Sequence, residues 1–302
     1  TFEAASLTQT AGTGTTMLDG VVTTTAAAGV NLTTATIDID ASVTTSGGVV
    51  DLNATTLVDL ATGESITTTG DTAGEAGGAI DIDVSGTGTV NLAGSLVTTG
   101  AANATEDGGA GGAVTIDTNN GTVSVTTITT DGGAATANND NGGDAGDVTI
   151  DTNSGNTITL NGAISAAGGA LSGAGTAGAG GDVMFADPVV LATGITITTG
   201  ATAGNIAFQS TLDSEANEAN TLSLTAGTGN ITFTGAVGSG ATQALGAVTI
   251  VSAANVTASS TFEAASLTQT AGTGTTMLDG VVTTTAAAGV NLTTATIDID
   301  AS

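Results

Sequence analysis

The stretch Gly112-Ala113-Val114-Thr115-Ile116 decides the fold, because its pattern returns along most of the chain. Each copy has a glycine, a small or polar residue, and then an apolar, a polar and an apolar residue. The two apolar side chains of such a triplet lie on one face of a β-strand. The other copies are Gly48-Val49-Val50-Asp51-Leu52, Gly78-Ala79-Ile80-Asp81-Ile82, Gly146-Asp147-Val148-Thr149-Ile150, Gly181-Asp182-Val183-Met184-Phe185, Gly204-Asn205-Ile206-Ala207-Phe208, Gly229-Asn230-Ile231-Thr232-Phe233 and Gly246-Ala247-Val248-Thr249-Ile250.

The spacing of these copies varies while the motif stays constant. The first four steps, from Gly48 to Gly181, are 30 to 35 residues long, and the later steps shorten to between 17 and 25 residues. A constant strand with variable connections indicates a fixed core that carries loops of adjustable length. We therefore expect one interior column of Val50, Ile80, Val114, Val148 and Val183, and a second of Leu52, Ile82, Ile116, Ile150 and Phe185.

Two further sets of short strands follow in each step. The second set is Val90-Asn91-Leu92, Val123-Ser124-Val125, Ile158-Thr159-Leu160 and Ile195-Thr196-Ile197, and the third set lies around Leu96, Ile128 and Ile164. Three short strands joined by glycine-rich corners describe one rung of a β-helix. The sequence therefore predicts an all-β fold, a parallel β-solenoid continuous along the chain. An array of immunoglobulin-like sandwiches is the alternative, but the steps are too short for domains of roughly one hundred residues.

The two ends of the chain carry the same sequence. Residues 1–42 recur letter for letter as residues 261–302, so the repeating unit is 260 residues long. We interpret 1–260 as one full solenoid unit and 261–302 as the start of the next unit in a tandem array, because a solenoid is stable only when its ends are capped or continued. A unit of on the order of ten rungs spans roughly 50 Å, at about 4.8 Å for each rung.

The charge balance narrows the range of partners. The chain has 28 acidic residues and no Lys, Arg or His, so its formal net charge is −28. Nucleic acids and anionic membrane surfaces both need cationic side chains, which excludes them as partners. We expect cations, and further copies of the same repeat arranged end to end or side by side. There is no cysteine for disulfides or thiolate metal sites, and no apolar run that predicts insertion into a membrane.

Several segments resemble a known class of exported protein. They are LTQTAGTGTT (residues 7–16), GVNLTT (29–34) and LTAGTGNITFTGAV (224–237), together with the glycine-led strand motif. These segments resemble the giant β-strand-repeat surface proteins of bacteria, which are similar to β-helical adhesins of the filamentous-haemagglutinin type. The resemblance implies a right-handed parallel β-helix, a location outside the cell or on its surface, and a role in attachment or surface scaffolding.

One column of acidic residues is a candidate metal site. Asp83, Asp117 and Asp151 occupy the same motif position in successive steps, and Asn53 precedes them. Stacked carboxylates lie about 5 Å apart, and like charges at that distance either raise their pKa values or recruit a cation. The column predicts Ca²⁺ bound between rungs by carboxylate oxygens. The alternative is a ladder of carboxylates exposed to water.

A second acidic cluster occupies one of the long connections. It comprises Asp131, Asp140, Asp144 and Asp147, and its segment GGDAGDVTI (142–150) nearly matches the Ca²⁺-binding nonapeptide G-G-x-G-x-D-x-U-x. The third glycine is displaced by one position. This cluster is a second candidate Ca²⁺ site, and a flexible acidic surface loop is the alternative.

The long connections themselves are a candidate contact surface. Gly/Ala/Asn-rich loops at 98–111, 131–146 and 165–181 leave from the same point of successive rungs, which predicts a ridge down one side of the rod. The ridge would contact a neighbouring rod or a receptor. Alternatively, it marks only the position where insertions are tolerated.

Runs of threonine suggest a further hypothesis. Flat threonine arrays on a solenoid can order water. Ice binding is therefore a hypothesis for the runs Thr23-Thr24-Thr25, Thr44-Thr45 and Thr67-Thr68-Thr69. The alternative is that threonine, a good strand former, occupies pleats that face the solvent.

Nothing in the sequence indicates catalysis. Glu215 and Glu218, near Asp213, could serve as an acid/base pair, but no aromatic sugar platform or basic residue accompanies them. We therefore expect no enzyme, and we expect a structural extracellular fibre or sheath protein built of tandem solenoid units. The alternative function is the stalk of a giant cell-surface adhesin that presents a distant binding tip.

Overall fold

Among the residues that the structure describes, alternating apolar residues form 31 short strands that coil into a parallel β-solenoid. A computed structural model describes residues 1–137, 139–153 and 155–300. Every strand pairing is parallel and joins a strand to those one rung before and one rung after it, for example Ile80 to Val50 and to Val114. The predicted fold class is confirmed.

Each rung contributes one strand to each of three faces, which we call face 1, face 2 and face 3 in chain order. Face 1 is a twelve-stranded sheet. Its strands are β2 Leu7–Gln9, β5 Val30–Thr33, β8 Val50–Ala54, β11 Ile80–Val84, β13 Val114–Thr118, β15 Val148–Asp151, β18 Val183–Phe185, β21 Ile206–Phe208, β24 Ile231–Phe233, β26 Val256–Ala258, β28 Thr275–Leu278 and β31 Thr296–Ile299.

Faces 2 and 3 join into one nineteen-stranded sheet, because some strands turn the corner between them without interruption. Strands on face 2 alone are β3 Thr15–Leu18, β6 Thr36–Ile39, β9 Leu57–Leu60, β16 Ile158–Leu160, β19 Val189–Leu191, β22 Leu212–Ser214 and β29 Val282–Thr284. Strands on face 3 alone are β1 Phe2–Ala4, β4 Val22–Thr24, β7 Val43–Thr45, β10 Ser65–Thr67, β17 Ile164–Ser165, β20 Ile195–Thr198, β23 Leu222–Thr225 and β30 Val290–Leu292. Strands that run from face 2 to face 3 are β12 Thr89–Val97, β14 Val123–Thr129, β25 Leu245–Ser252 and β27 Phe262–Gln269.

The two predicted interior columns are confirmed. Val50, Ile80, Val114, Val148 and Val183 pair in sequence, and so do Leu52, Ile82, Ile116, Ile150 and Phe185. All ten side chains are buried in the core. The third strand set is also confirmed, because Leu96 pairs with Ile128 and Ile128 with Ile164.

Two strands lie on a different face from the one that the sequence predicts. Val248 and Ile250 belong to face 3, where Val248 pairs with Leu222, and Val256–Ala258 takes the expected place on face 1. Val256–Ala258 was missed because no glycine leads it and its second inward residue is only alanine.

A second error concerns Ile195-Thr196-Ile197. Ile197 pairs with Ile164 on face 3, whereas Val189 pairs with Ile158 on face 2. Val189–Leu191 was missed because Val190, whose side chain points outward, is apolar and hides the alternation.

Four phenylalanine rings form a row in the interior. The ring centroids of Phe185 and Phe208 are 5.0 Å apart, those of Phe208 and Phe233 are 5.4 Å apart, and Phe262 closes the row edge-on at 5.6 Å from Phe233. Phe262 lies beyond residue 260, so this core continues without a break into the second copy of the repeated segment.

Phe208→Ala is expected to lower the free energy of unfolding by about 3–5 kcal/mol, because it opens a cavity in the middle of this row. Urea unfolding measures the change. Phe2→Ala is the matched control: Phe2 is 44% exposed, and exposed substitutions change stability by less than about 0.5 kcal/mol. Equal losses in the two variants would contradict this account of the core.

Candidate functional site

The long connections project from a single corner of the solenoid, between face 3 and face 1. They are residues 98–113 between β12 and β13, residues 130–147 between β14 and β15, and residues 166–182 between β17 and β18. Because the strands that flank them are paired in register, the three connections stack directly on one another. The predicted ridge is present, and the name refers below to these three segments.

Buried threonines close the base of the ridge. The Thr98 hydroxyl donates a hydrogen bond to the carbonyl of Gly112 at 2.5 Å, and Thr130 donates to Gly146 at 2.6 Å. Each bond ties the residue that leaves face 3 to the glycine that enters face 1. It also satisfies a hydroxyl that would otherwise be buried without a partner.

Two of the threonine runs contain a buried residue of the same kind, Thr45 and Thr68, whereas the buried Thr24 hydroxyl has no hydrogen-bond partner among the described residues. Thr24, Thr45 and Thr68, the buried members of the three runs, have at most 1% of their surface exposed. Thr68 donates to the carbonyl of Gly78 at 2.5 Å, as its counterparts do in later rungs. These three residues do not belong to an exposed array. Thr23, Thr44 and Thr67, however, pair in register with outward side chains on face 3, so ice binding stays a hypothesis.

The ridge is held together by backbone hydrogen bonds that join the two limbs of each connection and link each connection to the next. The donor and acceptor pairs are Gly109 N to Ala101 O (2.9 Å), Gly133 N to Gly109 O (2.7 Å), Gly143 N to Gly133 O (2.8 Å), Gly169 N to Gly143 O (2.8 Å) and Gly178 N to Gly169 O (3.0 Å). The ladder alternates between the outgoing and returning limbs of successive connections. The ridge is therefore an ordered layer and not a set of independent loops.

Close approach of these backbones accounts for the glycines. A Cβ atom on Gly143 would lie 1.9 Å from the carbonyl oxygen of Gly109, and one on Gly169 would lie 2.0 Å from that of Gly133. Neither Gly143 nor Gly169 has a positive φ angle. The glycines are required by the space between limbs, and their conformational freedom plays no part.

The acidic residues of the ridge accept hydrogen bonds from the next rung. Asp131 Oδ1 accepts from Ala167 N at 2.8 Å, and Asp144 Oδ1 accepts from Ala179 N at 2.7 Å. Each carboxylate thus accepts a hydrogen bond from a backbone N–H group that has no partner in the ladder, so the charge stabilises the ridge.

Asp140, a third member of the predicted cluster, lies beside an open depression. That depression is lined by Ala73, Gly74, Asn103, Glu106, Asp107 and Asp140. Asp140 Oδ2 is buried there and has no hydrogen-bond partner among the described residues.

A column of Asp and Asn residues at the entrance to face 1 was not predicted. Asp147 Oδ1 accepts from Asp182 N at 2.7 Å, and Asp182 Oδ1 accepts from Asn205 N at 2.7 Å. Asn205 Oδ1 accepts from Asn230 N at 3.0 Å, and Asn230 Oδ1 accepts from the side-chain Nδ2 of Asn255 at 2.8 Å. The signal is present in the sequence, since the second residue of four consecutive motifs is Asp or Asn.

The predicted column of Asp83, Asp117 and Asp151 lies on the outer surface of face 1. Asp83 pairs with Asn53 and with Asp117, and Asp117 pairs with Asp151, as the motif alignment predicts. Asn153 is inserted among them, and its Nδ2 donates to Asp117 Oδ1 at 2.6 Å.

Burial and mutual repulsion act on these carboxyls. Burial, and after it the charges of Asp151 and Asp83, raise the pKa of Asp117 above its usual range. Burial also raises the pKa of Asp81, with the charge of Asp51 as the next contribution. Repulsion among the carboxylates on the outer surface of face 1 is therefore not fully compensated by their hydrogen bonds.

Asp187, in the following rung, has the opposite environment. Burial acts to raise the pKa of Asp187, but hydrogen bonds from Thr152 and Gly155 outweigh it and hold the pKa below its usual range. Two of these donors are backbone N–H groups, that of Thr152 at 2.7 Å and that of Gly155 at 3.0 Å.

The residues predicted to bind Ca²⁺ thus fall into two separate places, the outer column and the ridge. Within residues 1–137, 139–153 and 155–300, no group of three or more acidic, His or Cys side chains is arranged to hold a metal ion. Binding of Ca²⁺ stays a prediction.

The acidic residues considered for catalysis have structural partners. Asp213 Oδ1 accepts from Ser239 N at 2.8 Å, and Glu218 Oε2 accepts from Asn220 Nδ2 at 2.9 Å. The absence of enzymatic activity stays a prediction.

Comparison with protein-family models, with curated proteins and with solved structures finds no match in any of the three. Among the described residues, no helix is long and apolar enough to span a lipid bilayer.

Gly143→Ala is expected to disrupt the ridge, because its Cβ has no space beside Gly109 O. Amide hydrogen exchange should accelerate in all three ridge segments while the strands of faces 1 and 2 stay protected. Gly14→Ala is the control, since a Cβ at Gly14 has no atom within 4 Å. Unchanged exchange in the ridge of Gly143→Ala would contradict the packing described above.

Asp117→Asn is expected to raise the free energy of unfolding at pH 7 by about 0.2–1 kcal/mol, the usual cost of like charges on paired strands. Because the folded pKa of Asp117 is raised, the folded protein binds more protons, and its stability rises as pH falls from that pKa towards 3.8. The benefit of the substitution should therefore shrink near pH 4. Urea unfolding at several pH values measures both effects.

Asp187→Asn provides the matched opposite. The pKa of Asp187 in the folded protein is lowered. The charged Asp187 side chain therefore stabilises the fold above its unfolded pKa, and this stabilisation is lost as pH falls through the folded pKa. This variant should lose about 0.5–1.5 kcal/mol at pH 7. Changes of the same sign in the two variants would rule out this description of the charges.

Proposed function

We propose that this chain is part of an extracellular structural fibre or sheath, in which solenoid units follow one another end to end. The proposal rests on how the two copies of the repeated 42 residues pack. The second copy packs on the core of the unit before it, as Phe262 does on Phe233, and keeps the internal register of the first copy.

The second copy leaves its last rung uncovered. Ile37 and Ile39 of the first copy are at most 1% exposed, whereas their equivalents Ile297 and Ile299 are 49% and 59% exposed. Apolar side chains and unpaired strand edges of this kind favour association with another strand. Val58 and Leu60 cover Ile37 and Ile39 in the first copy, and the same strand would cover Ile297 and Ile299 as the second unit continues.

The first copy leaves the opposite end uncovered. Phe2 is 44% exposed, and an apolar depression lies beside it, lined by Leu7, Leu18 and Val22 among others. Phe262, the equivalent of Phe2, is 1% exposed because it packs on Phe233. A preceding unit would cover Phe2 in the same way.

The composition supports a position outside the cell and contact between rods. The absence of Lys and Arg removes every site for trypsin-like proteases. The ridge offers an ordered surface on which a second rod could lie. However, two rods that each carry 28 carboxylates for every 302 residues repel one another until ions screen them.

Chains of two, three and four tandem units are expected to appear as unbranched rods in electron micrographs, each unit adding a constant length. Rods should be dispersed at 0.01 M salt, where charges act over about 30 Å, and should pack side by side near 1 M, where the range is about 3 Å. Antibodies against the ridge should label intact cells of the source organism without permeabilisation.

A comparison at matched ionic strength separates screening from a specific cation. If Ca²⁺ bundles the rods or raises their thermal stability beyond Na⁺, and a chelator reverses the effect, the predicted Ca²⁺ sites are supported. Rods that remain dispersed at every salt concentration would favour the adhesin stalk over the sheath. Lengths that do not grow with the number of units would contradict the end-to-end fibre.

A further inference from the structure

Identical sequences occupy different faces of the solenoid. Phe2–Ala4 belongs to face 3, where it pairs with Val22–Thr24, whereas Phe262–Ala264 belongs to face 2, below Val237. The next strand of the repeat shifts in the same direction. Leu7–Gln9 lies on face 1, and its equivalent Leu267–Gln269 pairs with β25 on face 3.

The third strand of the repeat completes the pattern. Thr15–Leu18 lies on face 2, and Thr275–Leu278 pairs with β26 on face 1. Each strand of the second copy is therefore displaced by one face, always in the same sense.

The internal structure of the two copies is nevertheless the same. Thr16 pairs with Ile37 and Thr276 with Ile297, so the register within each copy is unchanged. Hydrogen bonds repeat as well, as when Leu7 N donates to Gly29 O and Leu267 N donates to Gly289 O, both at 3.0 Å. The second copy is the first copy turned about the axis of the rod.

The count of strands gives the cause. Among the described residues up to position 260, faces 1, 2 and 3 hold ten, nine and ten strand positions, twenty-nine in all, when the single bridge at Val237 is included. Twenty-nine is one short of ten complete rungs. We infer that a 260-residue unit contains nine and two-thirds rungs, and that each successive unit is turned by one third of a turn relative to the three faces.

The consequence concerns what the fibre presents to its surroundings. This inference rests on the proposed function, because it applies to units that follow one another in tandem. The ridge occurs once in each unit, so it would appear on each of the three edges of the rod in turn. A rod can then meet other copies of itself along three directions, which suits a bundle better than a flat ribbon.

The dimensions follow from the strand spacing. At about 4.8 Å for each rung, one unit advances about 46 Å along the axis, and the same edge recurs after three units, or about 140 Å. A unit of nine or ten whole rungs would advance about 43 or 48 Å and would keep every ridge on one edge.

Paired cysteines test the face assignment in the 302-residue chain, which has no cysteine of its own. Thr257 lies beside Met277, and Thr249 lies beside Thr268, all with outward side chains. Disulfides are expected in Thr257→Cys/Met277→Cys and in Thr249→Cys/Thr268→Cys, because paired strands hold Cα atoms within disulfide range.

The control is Thr257→Cys/Thr268→Cys, which joins faces that are not paired and should stay reduced. Ready oxidation of this control, together with failure of the other two pairs, would overturn the inference. That result would leave the end-to-end fibre untouched, since whole-numbered units can also be joined in tandem.

A label on the ridge tests the array. Ala104 lies at an exposed position of the ridge. In a chain of four units, Ala104→Cys is introduced and labelled with gold, either in units one and two or in units one and four. Labels one unit apart should differ by one third of a turn, and labels three units apart should share one edge, apart from the slow twist of the rod. Labels that all lie on one edge would overturn the inference, and labels without constant axial spacing would overturn the proposed fibre together with it.

Discussion

The parallel backbone ladder along the axis is the constraint on which the rest of the structure depends. Alternate residues of each strand bond to the rung before and to the rung after, as when Val183 N donates to Asn205 O and Ala186 N donates to Ile150 O. A rung is therefore satisfied only between two others. Corners are free to vary in length because the ladder fixes only the strands. The ridge extends the same ladder outward through glycines such as Gly143, and the Asp147–Asp182–Asn205 column extends it with side chains.

The sequence alone predicts the solenoid and most of its interior, because inward residues such as Val114 and Ile116 repeat with the period of a strand. It does not predict which face a strand occupies. An apolar–polar–apolar triplet looks the same on all three faces, so Val248 was placed on face 1 although it lies on face 3. Only an unbroken count of strands from one end assigns faces, and Val190 and Ala258 each interrupt that count.

The candidate site was predicted in part. The stacking of Asp83, Asp117 and Asp151 follows from the motif spacing, because side chains on the outer surface are aligned by the ladder. The use of Asp131 and Asp144 does not, since their hydrogen bonds run to residues about one rung away whose position depends on how the connections fold. The glycines of the ridge look like flexible sequence until the distance between limbs is known.

The one-third turn between units also has a genetic consequence. Repeats that are identical at the DNA level recombine, and recombination removes or adds whole units. Because the register inside the repeated segment is the same at both positions, such an exchange would rejoin the solenoid without a packing defect. All units after the site of exchange would nevertheless be rotated by one third of a turn about the axis of the rod. The number of repeats would therefore set the direction in which the far end of the fibre faces.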